Sequence, residues 1–184
     1  MKKTWYIVGA VIILILLYGF FTYNGLVSAN VAVDGQWAQV ETQYQRRLDL
    51  IPNLVASVQG IFQQEQTIFT ALADARTKYG GATNINDKAK AASDVESALS
   101  RLLVVVENYP QLKSSDTVQT LMTQLEGTEN RVSVERKRFN DMVQSYNLIT
   151  KRFPSSLIAS MFGFGERAYF EAASGAEVAP KVQF

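Results

Sequence analysis

From Thr4 to Val33 the chain carries no charge, and from Trp5 to Phe21 it is apolar apart from Gly9 and Gly19. Wound as a helix, Thr4 to Tyr23 spans roughly 30 Å, about one hydrocarbon core. Trp5 and Tyr6 at one end, with Phe20, Phe21 and Tyr23 at the other, match the aromatic belts of membrane interfaces. The pattern predicts a transmembrane anchor over residues 1–25. Lys2 and Lys3 precede the run, while Asp34 and Glu41 are the first charges after it, so the amino end is expected on the cytoplasmic side. The rival reading is a cleavable signal peptide cut after Ala29 in Val27-Ser28-Ala29; the apolar run exceeds the usual length of such a core and favours retention.

Beyond the anchor, apolar residues recur at spacings of three and four. Trp37, Val40, Tyr44, Leu48 and Ile51 form the first stripe, and Pro52 then predicts a turn, since Pro is well tolerated in the first turn of a following helix, with a kink within one long helix as the alternative. Leu54, Val58, Ile61, Glu65, Ile68, Leu72, Ala75 and Tyr79 alternate by four and three, with Val55, Phe62 and Phe69 widening the face to that of a bundle core. Gly80-Gly81 stops this helix and Asn84 to Asp87 caps the next, whose stripe is Val95, Leu99, Leu102, Val106 and Tyr109. After Pro110, Ser114-Ser115-Asp116 opens the longest pattern, Val118, Leu121, Leu125, Thr128, Val132, Glu135, Phe139, Met142, Tyr146, Ile149 and Phe153. The expected fold is all-α: an amino-terminal transmembrane helix, then an antiparallel up-and-down four-helix bundle over residues 26–154 with coiled-coil-like packing. Residues 155–184 form an aromatic tail with Phe162, Phe164, Tyr169, Phe170 and Phe184, expected to strap a groove of the bundle or to serve as an interaction surface.

Charge and composition narrow the function. Lys2 and Lys3 are two of 18 basic residues, and all 17 acidic residues lie beyond the apolar run, so the remainder is close to neutral. That leaves no electrostatic footprint for nucleic acid. The chain has no histidine and no cysteine, which excludes Ser-His-Asp and Cys-His catalysis and histidine-containing zinc or di-iron sites. No catalytic, cofactor-binding or metal-binding residue is assigned, and an enzyme is not expected.

The polar residues within the stripes are better explained by packing. Glu65 and Glu135 occupy core positions, and Arg76 and Arg136 fall in the flanking columns, so an Arg–Glu network inside the bundle is expected, with Arg46 and Arg47 able to contribute. Such a layer sets helix register; the functional alternative is a pocket for a small ligand. Asn140 and Asn147, one heptad apart beside Phe139 and Tyr146, read as register or capping devices. Gly163-Phe164-Gly165 lacks the strand–turn–helix context of a phosphate loop.

Several segments together resemble the LemA family of bacterial membrane-anchored proteins. Gln45-Arg46-Arg47-Leu48-Asp49-Leu50-Ile51-Pro52-Asn53-Leu54-Val55, following Trp37, is the most specific. Thr128-Glu129-Asn130-Arg131, Phe139-Asn140, Tyr146-Asn147, Phe153-Pro154, Gly163-Phe164, Tyr169-Phe170 and Pro180-Lys181-Val182-Gln183-Phe184 accompany it. Leu48 and Ile61-Phe62 depart from the tyrosine-like residues common at those places, which alters packing alone. The resemblance implies an amino-terminal membrane helix followed by an antiparallel helical bundle, and no established catalytic activity. Family descriptions have sometimes put the short amino end outside, opposite to the orientation that Lys2 and Lys3 favour. The expected role is a non-enzymatic scaffold or adaptor at the bacterial inner membrane, with the bundle on the non-cytoplasmic side. Its expected partners are membrane lipid through the amino-terminal helix, further copies of itself as a homo-oligomer, and a membrane-protein partner. The alternative is a small-molecule-sensing bundle working through such a partner.

Overall fold

The structure, a computed structural model, describes residues 2–59 and 66–170. Among these residues every regular element is helical. Helix α1 runs Lys2–Gln59, α2 Gln66–Gly81, α3 Ile85–Asn108, α4 Pro110–Lys113, α5 Asp116–Lys151 and α6 Ser155–Phe162. Contacts divide the described residues into two compact units, one of residues 2–39 with Lys137–Tyr169, the other of Val40–Arg136 with Phe170.

Helix α1 overturns the turn expected at Pro52, which lies inside the helix. A proline there removes one backbone donor and clashes with the preceding turn, a cost of about 3 kcal/mol. Leu48, Ile51, Leu54 and Val58 are all buried around it, and their packing outweighs the local penalty. The charge-free stretch continues into the same helix without a break, and its apolar window is long enough to cross a membrane and wholly unburied.

In the first unit, Leu26, Val33 and Trp37 of α1 are buried with Phe139, Val143 and Tyr146 of α5 and Ala159 of α6. Trp37 meets Phe139 edge-on, with ring centroids 5.3 Å apart. The expected core position Met142 is exposed and Val143 replaces it, while Phe153 also faces outward. A spacing of four after Phe139 instead of three accounts for the shift: both spacings keep a helical stripe, and the rotation of α5 selects between them. Gly163 ends α6 in the left-handed region at φ 74°, a conformation that glycine adopts without the Cβ penalty.

In the second unit α2 packs on α3, with Leu72, Ala75 and Tyr79 buried on one and Ala91, Ala92, Val95, Ala98, Leu99, Leu102 and Val106 on the other. The expected cap is present at Asn84, whose side chain accepts from the Asp87 backbone N–H at 2.8 Å. Tyr109, expected in the stripe of α3, is exposed where that helix ends before Pro110. Ile61, Phe62, Glu65 and the tail after Phe170, including Phe184, lie outside the described residues.

Candidate functional site

A charged layer forms in the second unit around Glu96 and Glu129, two carboxylates that the stripes did not single out. Arg47, buried on α1, is paired with Glu129 of α5, and its NH1 stands 3.9 Å from Oε1 of Glu96 on α3. That same Glu96 oxygen accepts a hydrogen bond of 2.8 Å from the Tyr44 hydroxyl and lies 3.2 Å from NH1 of Arg136. Glu96 is therefore the hub, contacted from α1 and α5 at once. Arg136 continues the layer by placing its guanidinium 4.1 Å from the ring centre of Phe170, a cation–π contact. Phe170 stacks on Tyr44 at 6.4 Å, and Tyr44 meets Tyr79 at 5.5 Å. Lys88 and Glu41 form a further pair at the edge.

Of the expected members, Arg47 and Arg136 take part, whereas Arg46 and Arg76 are exposed. Glu135 is half-buried beside Arg136 in sequence. Glu65 lies outside the described residues. Sequence reasoning missed Glu96 and Glu129 because each directly follows a stripe residue, Val95 or Thr128, and reads as the solvated edge of its helix. The available signal was the placement of Glu96 three residues before Leu99, on the shoulder of the buried face.

The layer is sensitive to alkali. Burial pushes the Tyr44 hydroxyl well above its ordinary range, and Glu96 adds to the shift while Arg136 and Arg47 oppose it. Burial likewise raises Tyr79, with Glu41 adding. Both groups remain neutral when folded but ionise near pH 10 in the unfolded chain. Their contribution is intact below that pH and is lost as pH rises above it, by ~1.4 kcal/mol per pH unit for each tyrosine. Stability measured by urea unfolding should fall more steeply above pH 10 in the wild type than in a Tyr44→Phe/Tyr79→Phe variant. Equal slopes would place these rings in water.

A second polar arrangement lies in the first unit, where Asn147 clamps the chain after α6. Its Nδ2 donates to the Arg167 carbonyl at 2.9 Å, and its Oδ1 accepts from the Arg167 N–H at 2.9 Å. The Tyr146 hydroxyl donates to the Gly165 carbonyl at 3.0 Å, Lys151 pairs with Glu166 at 2.7 Å, and Arg167 pairs with Asp34. Asn147 thus acts on the backbone of a distant segment, not on helix register. Asn140 is half-buried and does engage a partner.

The two arrangements bring together residues from segments far apart in sequence: Arg47 with Glu129, Trp37 with Phe139, and Asn147 with the chain that follows Gly163-Phe164. These are the segments on which the family resemblance rested, and the LemA family pattern matches residues 36–184. The chain belongs to the LemA family. Similar sequences include the magnetosome proteins MamQ 1 and MamQ 2 of Paramagnetospirillum magneticum, each 29% identical, with 81% of this chain and 64% of theirs covered. Magnetosome protein MamQ of Magnetospirillum gryphiswaldense is 28% identical, over 80% of this chain and 64% of its own. The chain thus matches slightly less than two thirds of the length of these relatives. What the LemA arrangement offers chemically is a set of paired charges and engaged amides. Among the described residues no group of three or more acidic side chains gathers as a metal site would require.

Proposed function

We propose that this LemA-family chain is a membrane-anchored, non-enzymatic scaffold that self-associates or holds partner proteins at the bilayer. One observation carries the reading: α1 joins an unburied apolar run, with Leu14, Ile15 and Leu16 about two thirds exposed, to a helical body whose buried charges are spent on internal pairs. Apolar surface of that extent is stable only against lipid or protein. Relatives named for a magnetosome, not for a reaction, are consistent with such a role. The body suits an up-and-down antiparallel bundle, since Arg46–Leu50 border a groove with Thr123–Arg131, and Asn53–Ser57 border one with Asp116–Leu121. A second reading, small-molecule sensing through a membrane-protein partner, draws on the buried Tyr79 hydroxyl and Arg47 Nε, which lack hydrogen-bond partners among the described residues.

Lys2 and Lys3 favour a cytoplasmic amino end, with the body outside the inner membrane. A cysteine placed at the exposed Ser114 should react with a membrane-impermeant thiol reagent in intact spheroplasts, cleanly because the chain has no cysteine of its own. Labelling only after lysis would reverse the orientation.

Self-association is the direct test of the scaffold. The intact protein in mild detergent should form an assembly larger than a dimer, weakened by deleting residues 155–184. Light scattering that returned a monomeric protein mass across several detergents at micromolar concentration would defeat it. Binding of a small metabolite by a monomer would favour the sensing alternative.

A further inference from the structure

Helix α6 reads Ser155-Ser156-Leu157-Ile158-Ala159-Ser160-Met161-Phe162 and contains no charged residue. It packs against α1 at a particular level: Cδ1 of Ile158 lies 3.8 Å from where a Cβ on Gly19 would stand, and Phe162 meets Tyr23 with ring centroids 4.8 Å apart. Gly19 lies one turn inside Tyr23, roughly 6 Å deeper along the helix. If Thr4 to Tyr23 crosses the bilayer, Ile158 sits within the apolar layer, not above it.

The outward face of α6 has the matching chemistry. Leu157 and Met161, one turn apart on α6, are 61% and 71% exposed on the side opposite the buried Ala159, and Phe153, in the turn that precedes the helix, is exposed too. Phe20 and Phe21, which follow Gly19 on α1, are exposed as well. The backbone is also suited to a site without water, because non-helical groups there must find partners within the protein. The Ser155 hydroxyl donates at 2.7 Å toward the carbonyls of Ile149 and Arg152, and the Phe164 N–H donates to the Ala159 carbonyl at 2.9 Å. The chain then departs: Arg167 pairs with Asp34, roughly 16 Å along α1 beyond Tyr23.

We propose that α6 is a second membrane element, seated in the outer part of the hydrocarbon layer beside the anchor with Leu157 and Met161 against lipid acyl chains. Lipid is the occupant the face fits, because α6 packs at Gly19 and Tyr23 on the helix that carries the exposed apolar run, within the same unit. The proposal rests on reading α1 as a membrane span. It gives the anchor a wedge at one leaflet only, so the chain would be held at a fixed tilt and depth by two elements instead of one.

The test uses the full chain with single cysteines at Leu14, Ser114, Leu157 or Met161, each carrying a nitroxide, in phosphatidylcholine–phosphatidylglycerol vesicles. Collision rates with oxygen, which concentrates in hydrocarbon, are compared with those of a neutral nickel chelate, which stays in water. Labels at Leu157 and Met161 should favour oxygen severalfold, as the label at Leu14 does, while the label at Ser114 favours nickel. Nickel-accessible labels at Leu157 and Met161 with a deep Leu14 would overturn the proposal and leave the anchor standing. Labels at 157 and 161 shielded from both reagents would mean that protein covers the face, and spin–spin broadening would identify a second copy; either result overturns it. A water-exposed label at Leu14 would remove the anchor reading itself, and the wedge with it.

Discussion

Replacing Glu96 with alanine should destabilise the folded body by about 2–3 kcal/mol, between the values for an exposed ion pair and for a fully buried one, because Glu96 is part-buried. The Glu96 carboxylate receives the Tyr44 hydroxyl and faces Arg136, and Arg47 stands 3.9 Å from the same oxygen. Its loss strands a buried phenol, which alone costs about 1–3 kcal/mol when no acceptor replaces it. It also leaves Arg136 with the ring of Phe170 as its remaining contact among the described residues, and places two guanidinium groups near each other without the anion between them. Glu96→Gln separates the contributions, because the amide oxygen still accepts from Tyr44 while the charge is gone, so a smaller loss is expected. Glu129→Ala should cost less than Glu96→Ala, since Glu129 is nearly half exposed and Arg47 retains Glu96 nearby. Urea unfolding of the four proteins orders them, and wild-type stability in Glu96→Ala would show that the layer does not hold this body together.

Breaking the Asn147 clamp should release the segment after α6 more than it unfolds the rest. Asn147→Ala removes both hydrogen bonds to Arg167, leaving a part-buried N–H and carbonyl to find water, at a cost of about 2 kcal/mol. Asn147→Asp is expected to do no better, because it keeps the acceptor for the N–H but sets a carboxylate oxygen against the Arg167 carbonyl. Arg167 is itself a trypsin site, so local opening can be read as cleavage. A cost of about 2 kcal/mol corresponds to more than a tenfold rise in cleavage rate at Arg167 where opening is fast relative to cutting. Unchanged cleavage in both variants would mean that the pairs Lys151–Glu166 and Arg167–Asp34 hold the segment without Asn147. The same variants bear on the membrane wedge, since this clamp fixes where the chain leaves α6.

The sequence by itself determined the helical class of the chain and its apolar span, because both are properties of neighbouring residues. A charge-free run from Thr4 to Val33 needs no tertiary information to be seen, and three-and-four spacing identified most of the buried positions on α1, α3 and α5, among them Trp37, Tyr44, Leu99, Leu125 and Phe139. The cap at Asn84 was legible for the same reason: the donor it satisfies lies three residues away. Only the tertiary structure decided which charges meet. Glu96 and Glu129 sit on the shoulders of their stripes, and whether a shoulder faces water or another helix depends on the rotation of each helix about its own axis, which spacing leaves open. Pro52 lies within α1 because buried neighbours offset a local penalty, and Val143 takes the place of Met142 because α5 turns by a fraction of one residue against its partner. The role of Asn147 was equally out of reach, since its partner is a backbone twenty residues on whose path is set by the packing of α6.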